Sequence, residues 1–366
     1  MTGESSSTSS SSTSSSSTDG GGAGARSGLD MTVAEIGEGL GRYLSELWGE
    51  PVAVGDLRQA SAGARRRNVL FTATSAERGS DHLVATIVPT PDLQIVPISV
   101  EAGNLRLAHG AGVPTPEVVA DTEDARWVGG PFFVSTLVEG KSVPRRVLRL
   151  VAADPSLGGR LARQCGRALA TLHAVDVAAA PDGIEGPPPA STPVRLSLET
   201  QREQIDELLQ PSPTFELGHR WLSETAPSDD RVTIVHGDFR NGNLIVGPDG
   251  LRAVLDWEGS RLGAPMADLV WSSVRMWRFG NDHLPVGGFA AVADLRAGYE
   301  EAGGRWDDDA YRWWTVSATL RWGLGLANQA RQHLDREYPS IVMAASGRRV
   351  AEMEYDLLML LADAYP

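Results

Sequence analysis

The residues best equipped for chemistry fall in one short stretch. Ile234-Val235-His236-Gly237-Asp238-Phe239-Arg240-Asn241-Gly242-Asn243-Leu244-Ile245-Val246 is followed by Pro248-Asp249-Gly250, and then by Ala253-Val254-Leu255-Asp256-Trp257-Glu258. Two apolar runs flank a polar loop, and the Pro-Asp-Gly turn sends the chain back along itself. Such a hairpin presents Asp238, Asn243 and Asp256 near one end while the apolar flanks fix the backbone. A few carboxylate and amide oxygens suit Mg²⁺, which takes its other ligands from phosphate and water. Asp238 could orient an attacking hydroxyl and accept its proton, and Asn243 and Asp256 could hold the metal that bridges nucleotide phosphates. Phosphoryl transfer asks little covalent chemistry of a protein; positioning and charge neutralisation do most of the work.

These residues need a scaffold. Val33, Ile36, Leu40, Tyr43, Leu44 and Leu47 recur at helical spacing. Val52 to Leu57 reads as a strand that leads into the Gly63 turn. Asn68 to Thr74 and His82 to Val88 are β-branched runs around Glu77-Arg78-Gly79-Ser80, a hairpin. A short helix from Ser99 to His109, the stiff Val113-Pro114-Thr115-Pro116 segment and a strand from Pro131 to Val138 follow. Beyond Gly140 helical patterns dominate, at Leu157 to Val175, Leu196 to Leu209, Glu216 to Glu224, Trp313 to Gln329 and Arg348 to Leu361. The β-rich island from Val232 to Leu255 interrupts them.

Composition narrows the function classes. A formal charge of −14 over 366 residues argues against a nucleic-acid partner. One cysteine, Cys165, within a helical apolar pattern, excludes a disulfide within the chain and reads as a core thiol. No apolar run approaches the ~20 residues of a membrane span, so no membrane partner is expected. The Ser/Thr/Gly-rich start lacks the apolar core of a signal peptide, and the expected location is cytoplasmic. Residues 1–28 are expected to be a disordered tail. The remainder divides into an N-terminal nucleotide-binding lobe with hinge at 29–140 and a catalytic, acceptor-binding lobe at 141–366.

The motif His236-Gly237-Asp238-x-x-x-x-Asn243, followed by Leu255-Asp256-Trp257-Glu258, resembles the catalytic loop and metal-binding segment of the aminoglycoside phosphotransferase family. That family is related to choline kinases and, distantly, to protein kinases. The resemblance extends over roughly residues 30–366 and includes Gly263-Ala264-Pro265-Met266-Ala267-Asp268-Leu269. It implies an α+β, two-lobed, protein-kinase-like fold with a small β-rich N-lobe carrying one key helix and a larger, mainly helical C-lobe. It implies Asp238 as the catalytic aspartate, Asn243 and Asp256 as metal ligands, and His236 and Asp268 as supports of the loop. Mg²⁺ and ATP or GTP are the implied cofactors. Polar turn residues of an ordinary hairpin would be the plain alternative, but three at this spacing with these flanks argue against it.

In the N-lobe the resemblance places Gly63 in the glycine-containing turn, Glu101 as the helix glutamate, and Thr136 and Val138 in the hinge whose backbone holds the base. It also exposes a departure. Thr86 stands where the family has a strand lysine or arginine, and no Lys or Arg occurs between Arg78 and Arg106. The single lysine, Lys141, follows the hinge. Three readings are open: Arg65, Arg66 or Arg67 supplies the missing charge; the enzyme is weakened or uses another donor; or the chain is a nucleotide-binding pseudokinase or regulatory module. The triple arginine also reads as a plain solvated loop.

The C-lobe is rich in tryptophan, including Trp271, Trp277, Trp306, Trp313, Trp314 and Trp322, for which core packing is the ordinary role. Arg275, Arg321, Arg348 and Arg349 would suit an anionic acceptor. Phe132-Phe133-Val134, His236-Gly237-Asp238-Phe239-Arg240 and Leu255-Asp256-Trp257-Glu258 resemble the broad phosphotransferase group that includes the kinase module attached to some acyl-CoA dehydrogenases, more than they resemble dedicated antibiotic-resistance enzymes. Acceptors therefore range over aminoglycoside or macrolide hydroxyls, hydroxyacyl-CoA and other small alcohols.

Overall fold

The computed structural model describes residues 27–60, 66–90, 93–228 and 231–364. Gly63, Arg65 and the tail to residue 26 lie outside the described residues. Ser27 and Gly28, placed in the tail by composition, are tied down: Gly28 N–H donates to Gly129 O at 2.8 Å and Ser27 Oγ to Pro89 O at 3.0 Å.

The first elements are α1 (Val33–Trp48), β1 (Ala53–Gln59), β2 (Arg67–Ser75), β3 (Gly79–Ile87), α2 (Ile98–Gly110), β4 (Val118–Thr122) and β5 (Phe132–Thr136). Thr32 and Glu35 close a reciprocal cap at the start of α1, and Gly49 ends it at φ 72°. Ile36, Leu40 and Leu44 on one face of α1 are fully buried against Val69, Phe71, Leu83 and Phe132 of the sheet. The five strands form an antiparallel sheet in the order β1-β2-β3-β5-β4. The expected hairpin is β2–β3, with Asn68 opposite Thr86. Strand β4 was not expected. Its five residues follow the proline-rich segment and pair only with β5, too short an edge for alternation to reveal.

The larger part holds α3 (Pro144–Ala153), α4 (Pro155–His173), α5 (Pro193–Asp206), α6 (Pro213–Glu224), β6 (Thr233–Val235), β7 (Leu244–Gly247), β8 (Gly250–Val254), β9 (Arg261–Gly263), α7 (Pro265–Trp271), α8 (Val292–Glu301), α9 (Asp308–Leu334), α10 (Ile341–Ser346) and α11 (Val350–Leu361). Proline at the first helical position starts α3 through α7, where its fixed φ suits the helix and its missing N–H costs nothing. Trp271, Trp277, Trp313 and Trp314 are buried, as core residues should be, and so is Cys165, whose thiol burial pushes up. The expected β-rich island contains β6, which pairs with β9, and the β7–β8 hairpin. Among the described residues no helix is long and apolar enough to cross a membrane.

Backbone bonds join the two parts beside the island. Lys141 and Val246 exchange N–H···O bonds of 2.8 and 2.9 Å, and Val254 N–H reaches Pro114 O at 2.8 Å. The end of the hinge and the proline-rich segment between α2 and β4 are thereby fastened to the hairpin that follows Asn243.

Candidate active site

The loop between β6 and β7 turns sharply at Gly237, where φ is 82°. A Cβ there would meet Gly259 O at 2.1 Å, so only glycine fits. Asp268, 1 % exposed near the start of α7, braces the turn. Its Oδ2 accepts His236 N–H at 2.7 Å and its Oδ1 accepts Gly237 N–H at 2.8 Å. His173 Nε2 lies 3.3 Å from Oδ2. Burial works to raise the Asp268 carboxyl, but His173 and the donors around His236 outweigh it and hold it below the usual carboxylate range.

His236, fully buried, is held neutral chiefly by burial. Its Nδ1 accepts Asp238 N–H at 3.2 Å, which assigns the proton to Nε2, and Nε2 donates to Leu255 O at 3.0 Å. One imidazole thus spans the loop that carries Asp238 and the residue that precedes Asp256. Phe239 and Trp257 rings pack edge-on against it.

Asp238 is gripped on both oxygens. Trp271 Nε1 donates to Oδ1 at 2.5 Å, Arg240 Nε to Oδ1 and Oδ2 at 3.0 and 3.1 Å, and Asn243 Nδ2 to Oδ2 at 2.6 Å. Asn243 Nδ2 also reaches Asp238 O at 2.9 Å, which leaves Asn243 Oδ1 without a protein donor among the described residues. Asp256 adopts the left-handed region at φ 67°, ψ 69°, uncommon for a residue with a side chain and characteristic of functional positions. Its carboxylate, open to the cleft, accepts no hydrogen bond from the described residues. The surrounding walls first, then the charges of Glu258 and Asp238, push its carboxyl up to about 6, an effect that water in the cleft partly screens. An unpartnered carboxylate beside an unpartnered amide oxygen is a donor set that fits a hard divalent cation. Among the described residues no three His, Cys, Asp or Glu side chains cluster for a metal, so such a cation would need phosphate and water as its remaining ligands.

Above this pair lies a cavity of ≈ 690 Å³, of the size that holds a small ligand. Asn243 and Asp256 line its floor; Arg66, Thr86 and Glu101 line its sheet side; Thr136 and Val138 line its hinge. Val138 N–H and C=O have no partner among the described residues. Thr136 N–H is taken by Glu117 O at 2.9 Å, so only its carbonyl can face a ligand. Of the described arginines in the triple run, Arg66 enters the site and Arg67 does not. Arg67 turns to the other face of the sheet and donates to Gly28 O at 2.8 Å and Met31 O at 2.6 Å. This corrects its assignment to the nucleotide, because consecutive residues entering a strand point to opposite faces.

Sequence reasoning missed several neighbours of these residues. Arg240 and Trp271 bind Asp238, His173 backs Asp268, and Glu258 pairs with Arg66 at 2.9 Å. Arg240 and Glu258 sit two residues from Asp238 and Asp256, the only signal available. Beside Asp238, Arg240 stacks 4.3 Å over Trp277 and Arg321 stacks 4.4 Å over Trp271. Arg275 is paired with Asp282 and Asp356, and Arg349 with Glu352.

A sheet-and-helix lobe over a helical lobe, with an aspartate loop and a metal-compatible pair at their junction, defines a kinase-like phosphotransferase. The pattern of the phosphotransferase enzyme family (APH) matches residues 56–314, and the chain belongs to that family. It is 33 % identical over 177 residues to the mouse acyl-CoA dehydrogenase family member 10, a match covering 46 % of this chain and 16 % of that protein. The chain therefore spans only about a sixth of that relative. Among solved structures, a proposed aminoglycoside phosphotransferase from Ralstonia eutropha superposes with TM-score 0.67 at 23 % identity, covering 87 % of this chain and 97 % of the other. A thermostable mutant of aminoglycoside phosphotransferase APH(4)-Ia, solved with AMP-PNP and hygromycin B, gives TM-score 0.58 at 17 % identity, covering 86 % and 98 %. At these identities the two structures establish the two-lobed, kinase-like fold.

Proposed function

We propose that this phosphotransferase moves the γ-phosphoryl group of ATP or GTP, with Mg²⁺, onto a hydroxyl of a small molecule. The observation that carries this reading is that two unpartnered oxygen ligands, Asn243 Oδ1 and Asp256, line the floor of one cavity, with Asp238 held beside them by its bond from Asn243 Nδ2. The AMP-PNP bound to a fold relative supports a nucleotide donor.

Val138 N–H and Thr136 C=O would hold the base, and Glu101 would brace the phosphate-binding side. Asn243 and Asp256 would hold Mg²⁺, which when bound neutralises the phosphate charge. Asp238 would orient the acceptor hydroxyl and take its proton on a carboxylate oxygen. The acceptor oxygen bonds to the γ-phosphorus as the β–γ bridging bond breaks, and the nucleoside diphosphate leaves. Trp271, Asn243 and Arg240 fix the Asp238 rotamer, and a carboxylate's four lone-pair sites leave room for the substrate hydroxyl. His236 and Asp268 would act only by positioning the loop.

The charges facing Asp238 from the acceptor side are guanidiniums. Arg321 Nη2 lies 3.5 Å from Gly237 O, and no carboxylate among the described residues is within ion-pair reach of it. Burial and the like charge of Arg261 lower its pKa to about 10, so it stays cationic at neutral pH. This favours a neutral or anionic alcohol over a polycationic aminoglycoside. The match to a protein named for acyl-CoA dehydrogenation puts hydroxyacyl-CoA in the acceptor screen beside macrolides and small hydroxy acids.

Calorimetric titration of ATP and GTP with Mg²⁺, beside Asp256→Ala, tests the reading. Metal-dependent binding that the variant loses is expected, followed by turnover in the acceptor screen. Binding without turnover of any acceptor would leave the pseudokinase alternative standing, and absence of nucleotide binding would sink both.

A further inference from the structure

We propose that Arg66, the residue leading into β2, is the triphosphate-binding cation of this chain, doing from β2 what kinase-like sites assign to a basic residue on β3. The inference rests on the phosphotransferase reading above and deepens it.

Kinase-like sites use one strand cation for two contacts, the nucleotide phosphates and a glutamate on the neighbouring helix. Here β3 contains no Lys or Arg, and its cavity-facing residue near that helix is Thr86. The helix glutamate nevertheless has its cation. Arg66 Nη1 lies 2.7 Å from Glu101 Oε2, and both side chains are almost fully buried. Strand geometry explains how. Side chains alternate between faces, so Arg66, Asn68 and Leu70 share one face of the sheet. Asn68 is opposite Thr86 and Leu70 opposite Val84, and all five residues line the cavity. The charge has moved one strand sideways and two residues along without leaving its face. An arginine is long enough to return from there to Glu101.

Arg66 makes a further contact that ties it to the metal-holding segment. Its Nε donates to Glu258 Oε2 at 3.0 Å and its Nη2 lies 2.9 Å from the same oxygen, two residues beyond Asp256. One guanidinium therefore links β2, α2 and the Asp256 segment. A fork with five N–H groups suits this three-way position, and a lysine's single point charge does not.

The donors are not exhausted. Nη1 and Nη2 carry four N–H bonds between them, yet each nitrogen lies against a single carboxylate oxygen, of Glu101 and of Glu258, and only Nε makes an aligned bond. Buried N–H groups without an acceptor are uncommon in folded proteins and call for a missing partner. The cavity that Arg66 lines runs from the hinge to Asp256, so a triphosphate in it would lie beside the guanidinium and take up these donors as the side chain turns toward it.

The test measures the preference for ATP·Mg²⁺ over adenosine by calorimetry. Arg66→Ala alone strands Glu101 as a buried charge, so the main variant is Arg66→Ala/Glu101→Gln, with folding verified by thermal unfolding. The expected result is a loss of roughly 10- to 100-fold in ATP affinity, the worth of one or two charge-assisted bonds, with adenosine affinity unchanged. Adding Thr86→Lys to Arg66→Ala should restore at least about ten-fold, because a cation returns to the same cavity face beside Glu101. A folded double variant that keeps the wild-type preference, or that loses ATP and adenosine affinity equally, would overturn the assignment while the phosphotransferase reading survives. Failure of Thr86→Lys to restore any preference would overturn the one-strand relocation. A wild-type chain that binds no nucleotide would remove the phosphotransferase reading, and this inference with it.

Discussion

Asp268→Asn is the substitution whose outcome the structure defines most closely. The new side chain has nearly the same shape, so packing is retained and only hydrogen bonding and charge change. In the parent, two carboxylate oxygens take the N–H groups of His236 and Gly237 at 2.7 and 2.8 Å in a site 1 % exposed. An amide offers one oxygen; its NH₂ must face the other backbone N–H, donor against donor. One charge-assisted bond is lost, worth about 1.5–3 kcal/mol, and the second falls to the ~1 kcal/mol of a neutral pair. The stranded N–H adds a further desolvation cost of about 1–3 kcal/mol, so the total is about 3–8 kcal/mol. That is a large share of the 5–15 kcal/mol typical of a domain. The sign with pH is also defined. The folded Asp268 carboxyl sits below its ordinary value, so its extra stability is present above the unfolded pKa and is lost as pH falls through the lower folded one. Urea unfolding across acid pH reads both effects, and turnover measured well below the midpoint reads the loop, where a displacement of about 1 Å at Asp238 would cost ~10²-fold. A variant within ~0.5 kcal/mol of the parent, with an unchanged acid limb and unchanged turnover, would refute the bracing role.

Asp238→Asn should lower turnover by roughly 10²–10⁴-fold while nucleotide affinity stays within about two-fold, measured by steady-state kinetics and calorimetry. Trp271→Phe keeps the packing but removes the N–H on Asp238 Oδ1, and turnover should fall about ten-fold with an intact fold. Burial pushes the Glu101 carboxyl up to about 7 against the pull of Arg66. The folded chain then holds that proton to higher pH than the unfolded chain, so stability is greatest in mild acid and declines as pH rises through about 7. Glu101→Gln should flatten this decline in urea midpoints measured between pH 5 and 8, and an undiminished slope would remove Glu101 as its source.

The convergence of the β-rich island's polar residues was readable because its geometry is local. Gly237 must turn where no Cβ fits, the Pro-Asp-Gly turn closes β7 on β8, and apolar flanks bury the strands, so Asp238, Asn243 and Asp256 converge within one hairpin and its neighbouring loop. The α1 cap and the β2–β3 hairpin were readable for the same reason, since each rests on contacts a few residues apart. Strand β4 escaped because a short edge strand has no pattern of its own.

Amino-acid order by itself determined that Asp238, Asn243 and Asp256 come together and that β3 contains no Lys or Arg. It left three arginines as equal candidates for that charge. Only the tertiary structure separated the described two, placing Arg66 on the cavity face of the sheet and Arg67 on the other. Arg66 meets a helix and a loop segment 35 and 192 residues away in sequence, and Arg67 meets the chain entering α1. The same holds for Asp268 beneath His236 and Trp271 against Asp238. Ion pairs and buried hydrogen bonds of this kind form where packing excludes water and fixes both partners, and no local propensity encodes that coincidence.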